Sequence, residues 1–129
     1  MCPLLLDTCA VIWLANGELS RFSSGAVRAL RETDALYVSP ISEWEIAVKW
    51  RDGDIYLPMP PRELMEGFLE HFDVLISPLS DEVMFRSTEL PQIHKDPADR
   101  FIIATALVSN MAVVTADRRF PEYGVSVIN

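Results

Sequence analysis

Apolar residues in this chain come in short blocks, and most blocks end on a polar residue. Pro3 to Leu6 runs into Asp7-Thr8, and Leu36 to Val38, Val74 to Ile76 and Ala112 to Val114 run into Ser39, Ser77 and Thr115. Val125 to Ile128 is a fifth block. Short apolar runs bounded by turn formers predict strands. Between them the apolar positions recur at helical spacing. Ser23-Ser24 opens a helix with Val27 and Leu30 on one side and Arg28, Arg31 and Glu32 on the other. Pro40 and Ser42 open a second, Ile41 to about Arg51, which Asp52-Gly53 stops. After the proline-rich connector Leu57 to Pro61, a helix from Arg62 to Phe72 carries Met65, Phe68, Leu69 and Phe72 on one stripe. Ser80-Asp81-Glu82 starts a helix by capping and charge, and Pro91 ends it. Asp96-Pro97-x-Asp99 starts the last one, which runs to about Asn110. Cys9 to Ala15 is different: seven apolar residues closed by Asn16-Gly17, with no polar face. Its outer side, including Trp13, must lie deep in the core or beneath another chain.

Strands alternating with helices predict an α/β fold with a mainly parallel sheet. Such sheets hold ligands beyond the carboxyl ends of their strands. The polar ends of the apolar blocks fall there, and two of them bring acids, Asp7 and Asp117.

The chain has 129 residues, half of them apolar and 23% charged, which predicts one globular domain with its own core. The longest charge-free stretch, Phe101 to Ala116, is broken by Ser109-Asn110 and is shorter than the roughly 20 residues that span a bilayer. No membrane association is expected. The start lacks a basic segment and Asp7 interrupts its apolar run, so no secretory signal is expected. Cys2 and Cys9 are too far apart along a strand for a disulfide and lack a Cys-x-x-Cys spacing, which suits a reducing cytoplasm. The formal net charge of −8 argues by itself against a nucleic-acid partner. Acids clustered around cations would reverse that field locally, so net charge does not settle the partner.

Each acid has an ordinary reading beside a chemical one. Asp7 is placed to cap a helix, or to sit at the mouth of a central strand. Glu45 stands four residues before Lys49, the spacing of a solvated helix pair, yet it shares a face with Ile41 and Val48. Glu43 shares a face with Ala47 and Trp50, and spacing does not choose between the two. Asp96 before Pro97 reads as an N-cap, and Asp99 in the first turn is favoured by the helix dipole. Asp117 reads as a turn residue, with Thr115 beside it satisfying the strand end or bonding a metal-bound water. His94 next to Lys95 could be a ligand, but a lone loop histidine is more often solvated, the same holds for His71, and no His-Cys cluster suggests zinc. Taken together, Asp7, Glu45, Asp99 and Asp117 come from four elements that a parallel fold can bring to one edge. Four packed carboxylates cannot all stay ionised without cations. All-oxygen ligands select Mg²⁺ or Mn²⁺, one or two ions, and the usual chemistry of such a pocket is phosphoryl transfer to a metal-activated water.

Four segments also carry a family resemblance: Leu5-Leu6-Asp7-Thr8; Ser42-x-Trp44-Glu45-Ile46-Ala47-x-Lys49; His94-x-Asp96-Pro97-x-Asp99-Arg100-x-Ile102-Ile103-Ala104-x-Ala106; and Val114-Thr115-Ala116-Asp117-x-x-Phe120. In this order, across the whole chain, they resemble PIN-domain ribonucleases, and among these the VapC toxins of type II toxin–antitoxin modules. The resemblance implies a three-layer fold on a five-stranded sheet of order 3-2-1-4-5. It implies that Asp7, Glu45, Asp99 and Asp117 are catalytic, with Asp7, Asp99, Asp117 and in one reading Glu45 on the metal. Asp96, Thr8 and Thr115 would support them, and Glu43 falls on a variable position. It further implies metal-dependent cleavage of RNA, a VapB-type antitoxin, homodimers and toxin–antitoxin hetero-oligomers that meet DNA only through the antitoxin. Lys95, Arg100, Arg118 and Arg119 flank the motifs as candidates for RNA contact. Val11, Ile12 and Trp13 are candidates for a partner surface.

Rival classes fare less well. A receiver-type signalling domain wants an acceptor Asp after strand three, where the chain has Ser77-Pro78. A phosphatase wants Asp-x-Asp, where it has Asp7-Thr8-Cys9. A housekeeping RNA-processing nuclease and a non-catalytic antitoxin-pairing module remain as alternatives.

Overall fold

The computed structural model describes residues 3–129. Cys2 lies outside the described residues, and Cys9 is an exposed thiol. Five strands form the sheet: β1 (Leu4–Leu6), β2 (Leu36–Val38), β3 (Val74–Ile76), β4 (Ala112–Val114) and β5 (Val127–Ile128). Their order is β3-β2-β1-β4-β5 and every pairing is parallel. The expected α/β class and strand order are therefore the observed ones. β1 is central, pairing Leu6 with Val38 on one side and with Val114 on the other.

Strand alternation splits the core in two. Leu4 and Leu6 point to one face, where they meet α1 (Thr8–Ala15), α2 (Ser24–Glu32), α3 (Pro40–Arg51) and α4 (Pro61–His71). Leu5 points to the other and packs with α5 (Asp81–Glu89) and α6 (Pro97–Ser109). All three residues of β1 are buried, as a strand covered on both faces requires. Helices close where the local signals put them. Asp7, Ser23, Ser39, Ser80 and Asp96 are N-caps whose side chains accept from a backbone N–H of the first turn. Asn110 ends α6 in the left-handed region at φ 54°, a conformation Asn tolerates.

The apolar helix α1 is covered largely by its own chain. Val11 is fully buried against the sheet and cannot serve as a partner surface. The absence of a polar face reflects burial among the sheet, α3 and the short 3₁₀ turn Leu19–Arg21. Ile12 and Trp13 are half-buried; Trp13 stands edge-on to Phe22 at 5.3 Å, and the Arg21 guanidinium lies 5.7 Å from its ring. No helix among the described residues is long and apolar enough to cross a membrane.

Candidate active site

The site begins where β1 stops. Asp7 is in extended conformation, its N–H donates to the Val114 carbonyl, and its Oδ1 accepts from Ala10 N at 2.8 Å. It is thus a helix cap, and it is also 94% buried beside other acids. Burial pushes its pKa up; hydrogen bonds from the Thr115 hydroxyl and Ala10 N–H oppose this, and Asp117 and Glu45 add to the rise.

α3 enters next to this cap because Thr8 Oγ1 donates to Ser42 Oγ at 3.0 Å, joining the first turns of α1 and α3 through buried hydroxyls. Thr8 is therefore turned toward α3. Glu45, one turn further on, is close enough to raise the pKa of both Asp7 and Asp99. Its side chain is only 13% exposed, and Lys49 stands 3.8 Å away. Glu43 projects elsewhere, into a groove of about 540 Å³ lined with Ala47, Trp50, Pro61 and Met65; burial alone raises its pKa. Of the two, Glu45 stands with Asp7 and Asp99, and Glu43 lines the separate groove.

α6 supplies the third acid. Asp96 caps it, accepting from Ala98 N at 3.0 Å, and Pro97 occupies the first helical position. Asp99 follows in the first turn. Burial, then repulsion from Asp96, Glu45, Asp7 and Asp117, push its pKa up to about 7. The helix dipole favours a carboxylate here, and the crowding outweighs it.

The tip of β4 supplies the fourth. Thr115 Oγ1 accepts from Asp117 N at 3.0 Å, fixing the turn. Arg119 then grips Asp117 through its backbone N–H, Nε and Nη2 at 2.9, 3.1 and 3.0 Å. Burial works to raise the Asp117 pKa, but the Arg119 and His94 hydrogen bonds prevail and hold it at about 2.

His94 is the residue that sequence reasoning missed. It is 2% exposed, and its Nε2 lies 2.9 Å from both Asp99 Oδ2 and Asp117 Oδ2. The expectation of a solvated loop histidine is corrected: the loop before α6 folds inward and carries the ring under the acids. One sequence signal was available, since His94 stands two residues before an Asp-Pro cap, within reach of that cap's backbone N–H.

The basic candidates divide. Lys95 and Arg118 are exposed beside the acids, and Arg119 is engaged with Asp117. Arg100 is not free for RNA: it is buried and donates five hydrogen bonds to the carbonyls of Ser87, Leu90, Pro91 and His94. A guanidinium with five donors thus ties the last turn of α5 to the residues that lead into α6.

The sequence pattern of the PIN domain matches residues 4–125. The chain belongs to the PIN-domain family. Ribonuclease VapC22 of Mycobacterium tuberculosis is 33% identical over 120 residues, covering 92% of this PIN domain and 90% of that protein. VapBC2 from Rickettsia felis, solved bound to a DNA fragment from its promoter, superposes with a TM-score of 0.73 at 16% identity over 98% of both chains. DNA-bound VapBC from Salmonella typhimurium gives 0.67 at 18% identity over 98% of this chain and 97% of that one. At such identities the two structures establish the fold.

The donor set of this PIN domain fits a hard divalent cation. One oxygen each from Asp99 and Asp117 lie within 4.8 Å of each other, with the His94 imidazole beside them. Asp7 and Asp99 are strained toward protonation by burial and mutual repulsion. A cation relieves that strain, and carboxylate oxygens select Mg²⁺ or Mn²⁺.

Proposed function

We propose that this PIN domain is a divalent-metal-dependent endoribonuclease and the toxin of a VapBC-type toxin–antitoxin pair. The observation that carries the reading is the meeting of Asp7, Glu45, Asp99 and Asp117, from four separate elements, at the carboxyl edge of a parallel sheet. Relatedness to a ribonuclease named VapC over nine-tenths of the chain supports the choice of RNA and of the toxin role.

In this reading Asp7, Asp99 and Asp117 hold one or two Mg²⁺ or Mn²⁺ ions. Bound there, the metal lowers the pKa of a water and stabilises charge on the phosphate. Asp7 stays in place because its backbone N–H is bonded to the Val114 carbonyl and its carboxylate accepts from the Ala10 N–H and the Thr115 hydroxyl. Glu45 completes the ligand set or orients the attacking water. Asp96 adds negative potential beside Asp99 and keeps the start of α6 formed. Lys95 and Arg118, exposed beside the acids, contact the RNA backbone.

The protein then works in the cytoplasm, with a VapB-type antitoxin that blocks the site and links the complex to DNA, and with homodimers and hetero-oligomers as its assemblies. The two solved relatives named above are VapBC complexes, both bound to DNA. Exposed Trp44 and Trp50 on α3 offer apolar area for such contacts.

The test is cleavage of structured RNA by purified protein with Mg²⁺ or Mn²⁺, with and without EDTA. Cleavage lost with EDTA and in Asp7→Asn supports the reading. Full activity of Asp7→Asn with Mg²⁺ refutes the site assignment. Growth arrest on expression, relieved by a small DNA-binding protein encoded next to it, tests the toxin role; a cleaving enzyme without such a neighbour favours RNA processing.

A further inference from the structure

The hydrogen bonds around His94 define which of its nitrogens carries the proton. Nδ1 accepts from Asp96 N at 3.2 Å, so it has a free lone pair. In the neutral ring the proton is then on Nε2, and Nε2 lies 2.9 Å from one oxygen each of Asp99 and Asp117. We propose that His94 is a positioning residue that shares its Nε2–H between Asp99 and Asp117, sets the spacing of these two carboxylates, and does not itself ligate the metal. The proposal rests on the metal-site reading above and adds a role for a side chain outside the four acids.

The competing arrangement, an imidazole ligand, needs the lone pair on Nε2. The ring's single proton would then be on Nδ1, head-on against the Asp96 N–H in a pocket that is 2% exposed. Two donors facing each other without water leave both unsatisfied. The donor role satisfies every polar atom of the ring.

The ring is also fixed from behind. Its backbone N–H donates to the Tyr123 hydroxyl at 2.6 Å, as does the Ile93 N–H at 3.2 Å, and that hydroxyl donates to the Pro91 carbonyl at 2.9 Å. The His94 carbonyl accepts from Arg100 Nη1 at 3.2 Å. The fully buried Phe120 stands edge-on to the imidazole at 6.0 Å. Tyr123 and Phe120 come from the 3₁₀ turn Phe120–Tyr123 that follows Asp117, so the turn that places one acid also braces the histidine that spaces it. Groups one step out from a metal that orient its ligands commonly change affinity 10–100-fold when removed.

Long-range ¹H–¹⁵N spectra of the imidazoles test the proton's place directly, and Mn²⁺ titration calorimetry tests its consequence. His71→Gln assigns the signals, since the chain has two histidines. The neutral His94 ring should show the Nε2–H tautomer, with and without Mg²⁺. His94→Phe keeps a ring and removes the donor, and should weaken Mn²⁺ binding about 10–100-fold. His94→Gln places an amide N–H near the same point and should recover most of it. If His94→Phe does not fold, Tyr123→Phe is read instead; it leaves the ring and acids intact and should weaken Mn²⁺ several-fold. An Nδ1–H tautomer, loss of the Nε2–H signal on adding Mg²⁺, or unchanged Mn²⁺ affinity in His94→Phe or its Tyr123→Phe substitute overturns the proposal. So does a Gln variant as weak as the Phe variant. If the wild type binds neither Mg²⁺ nor Mn²⁺, it is the metal-site reading that fails, and the spectra still decide the tautomer.

Discussion

Consider Asp99→Asn at about pH 8 in EDTA. Asp99 is held near pKa 7 by burial and by repulsion from Asp96, Glu45, Asp7 and Asp117, against an ordinary 3.8. The folded protein therefore holds this proton more tightly than the unfolded chain does. Its stabilising effect is complete below about pH 4 and is lost as pH rises through about 7. A rise of about three units corresponds to a ceiling near 4 kcal/mol. The side chain is 20% exposed, so solvent reduces this to about 2 kcal/mol. Asparagine has the same shape, can still accept from His94, and carries no charge. At about pH 8 the variant should melt roughly 6–8 °C above the wild type, and at about pH 4 the two should coincide. Melts followed by circular dichroism across this range read the gap directly. Millimolar Mg²⁺ should then raise the wild type and narrow the gap, because the cation neutralises what asparagine removed. A variant no more stable at pH 8, or a gap that does not change with pH, would refute the crowding argument.

Other expectations concern single contacts. Arg100→Ala removes the guanidinium from four carbonyls, of which Pro91 keeps the Tyr123 hydroxyl, and should cost about 3–5 kcal/mol in urea unfolding; native stability with weaker RNA binding would restore Arg100 to the RNA surface. Arg118→Ala should do the reverse, keeping stability while lowering RNA affinity and the salt slope by about one, as read by fluorescence anisotropy at several salt concentrations. Arg119→Ala removes the guanidinium from Asp117 while Oδ1 keeps the backbone N–H and Oδ2 keeps His94, so Mn²⁺ binding without RNA should tighten several-fold in calorimetry, and weaker binding would mean that the grip preassembles the site. Thr8→Val removes the hydroxyl pair with Ser42 and should cost about 1–2 kcal/mol in urea unfolding; no loss would show that α3 is held by packing alone.

What the sequence disclosed follows from the range of each signal. Asp96-Pro97, Ser80-Asp81 and Ser23 act within one helical turn, and all of these caps form as expected. The last block became a shorter strand than expected, because Val125 packs into the second core before the pairing of Val127 with Val113 begins. The two 3₁₀ turns left no periodic signal. His94, Arg100 and Val11 were misjudged for one shared reason. Where a side chain points depends on what distant backbone it meets: the Asp96 N–H, the carbonyls from Ser87 to His94, the underside of the sheet. Composition and spacing carry none of that. The acids were easier, since a strand's carboxyl end and a helix's first turn already define a place in a parallel fold.

The central position of β1 has a consequence for the order of events during synthesis. Asp7 leaves the ribosome long before Asp117, yet its strand has no neighbour on one side until Leu6 can pair with Val114. Asp117 is attached to that late strand. Pairings between such distant segments form slowly, and domains emerging N-terminus first wait for them. Nascent and prematurely terminated chains therefore lack the fourth acid and its brace on His94. The four acids come together only once translation has passed the turn Phe120–Tyr123.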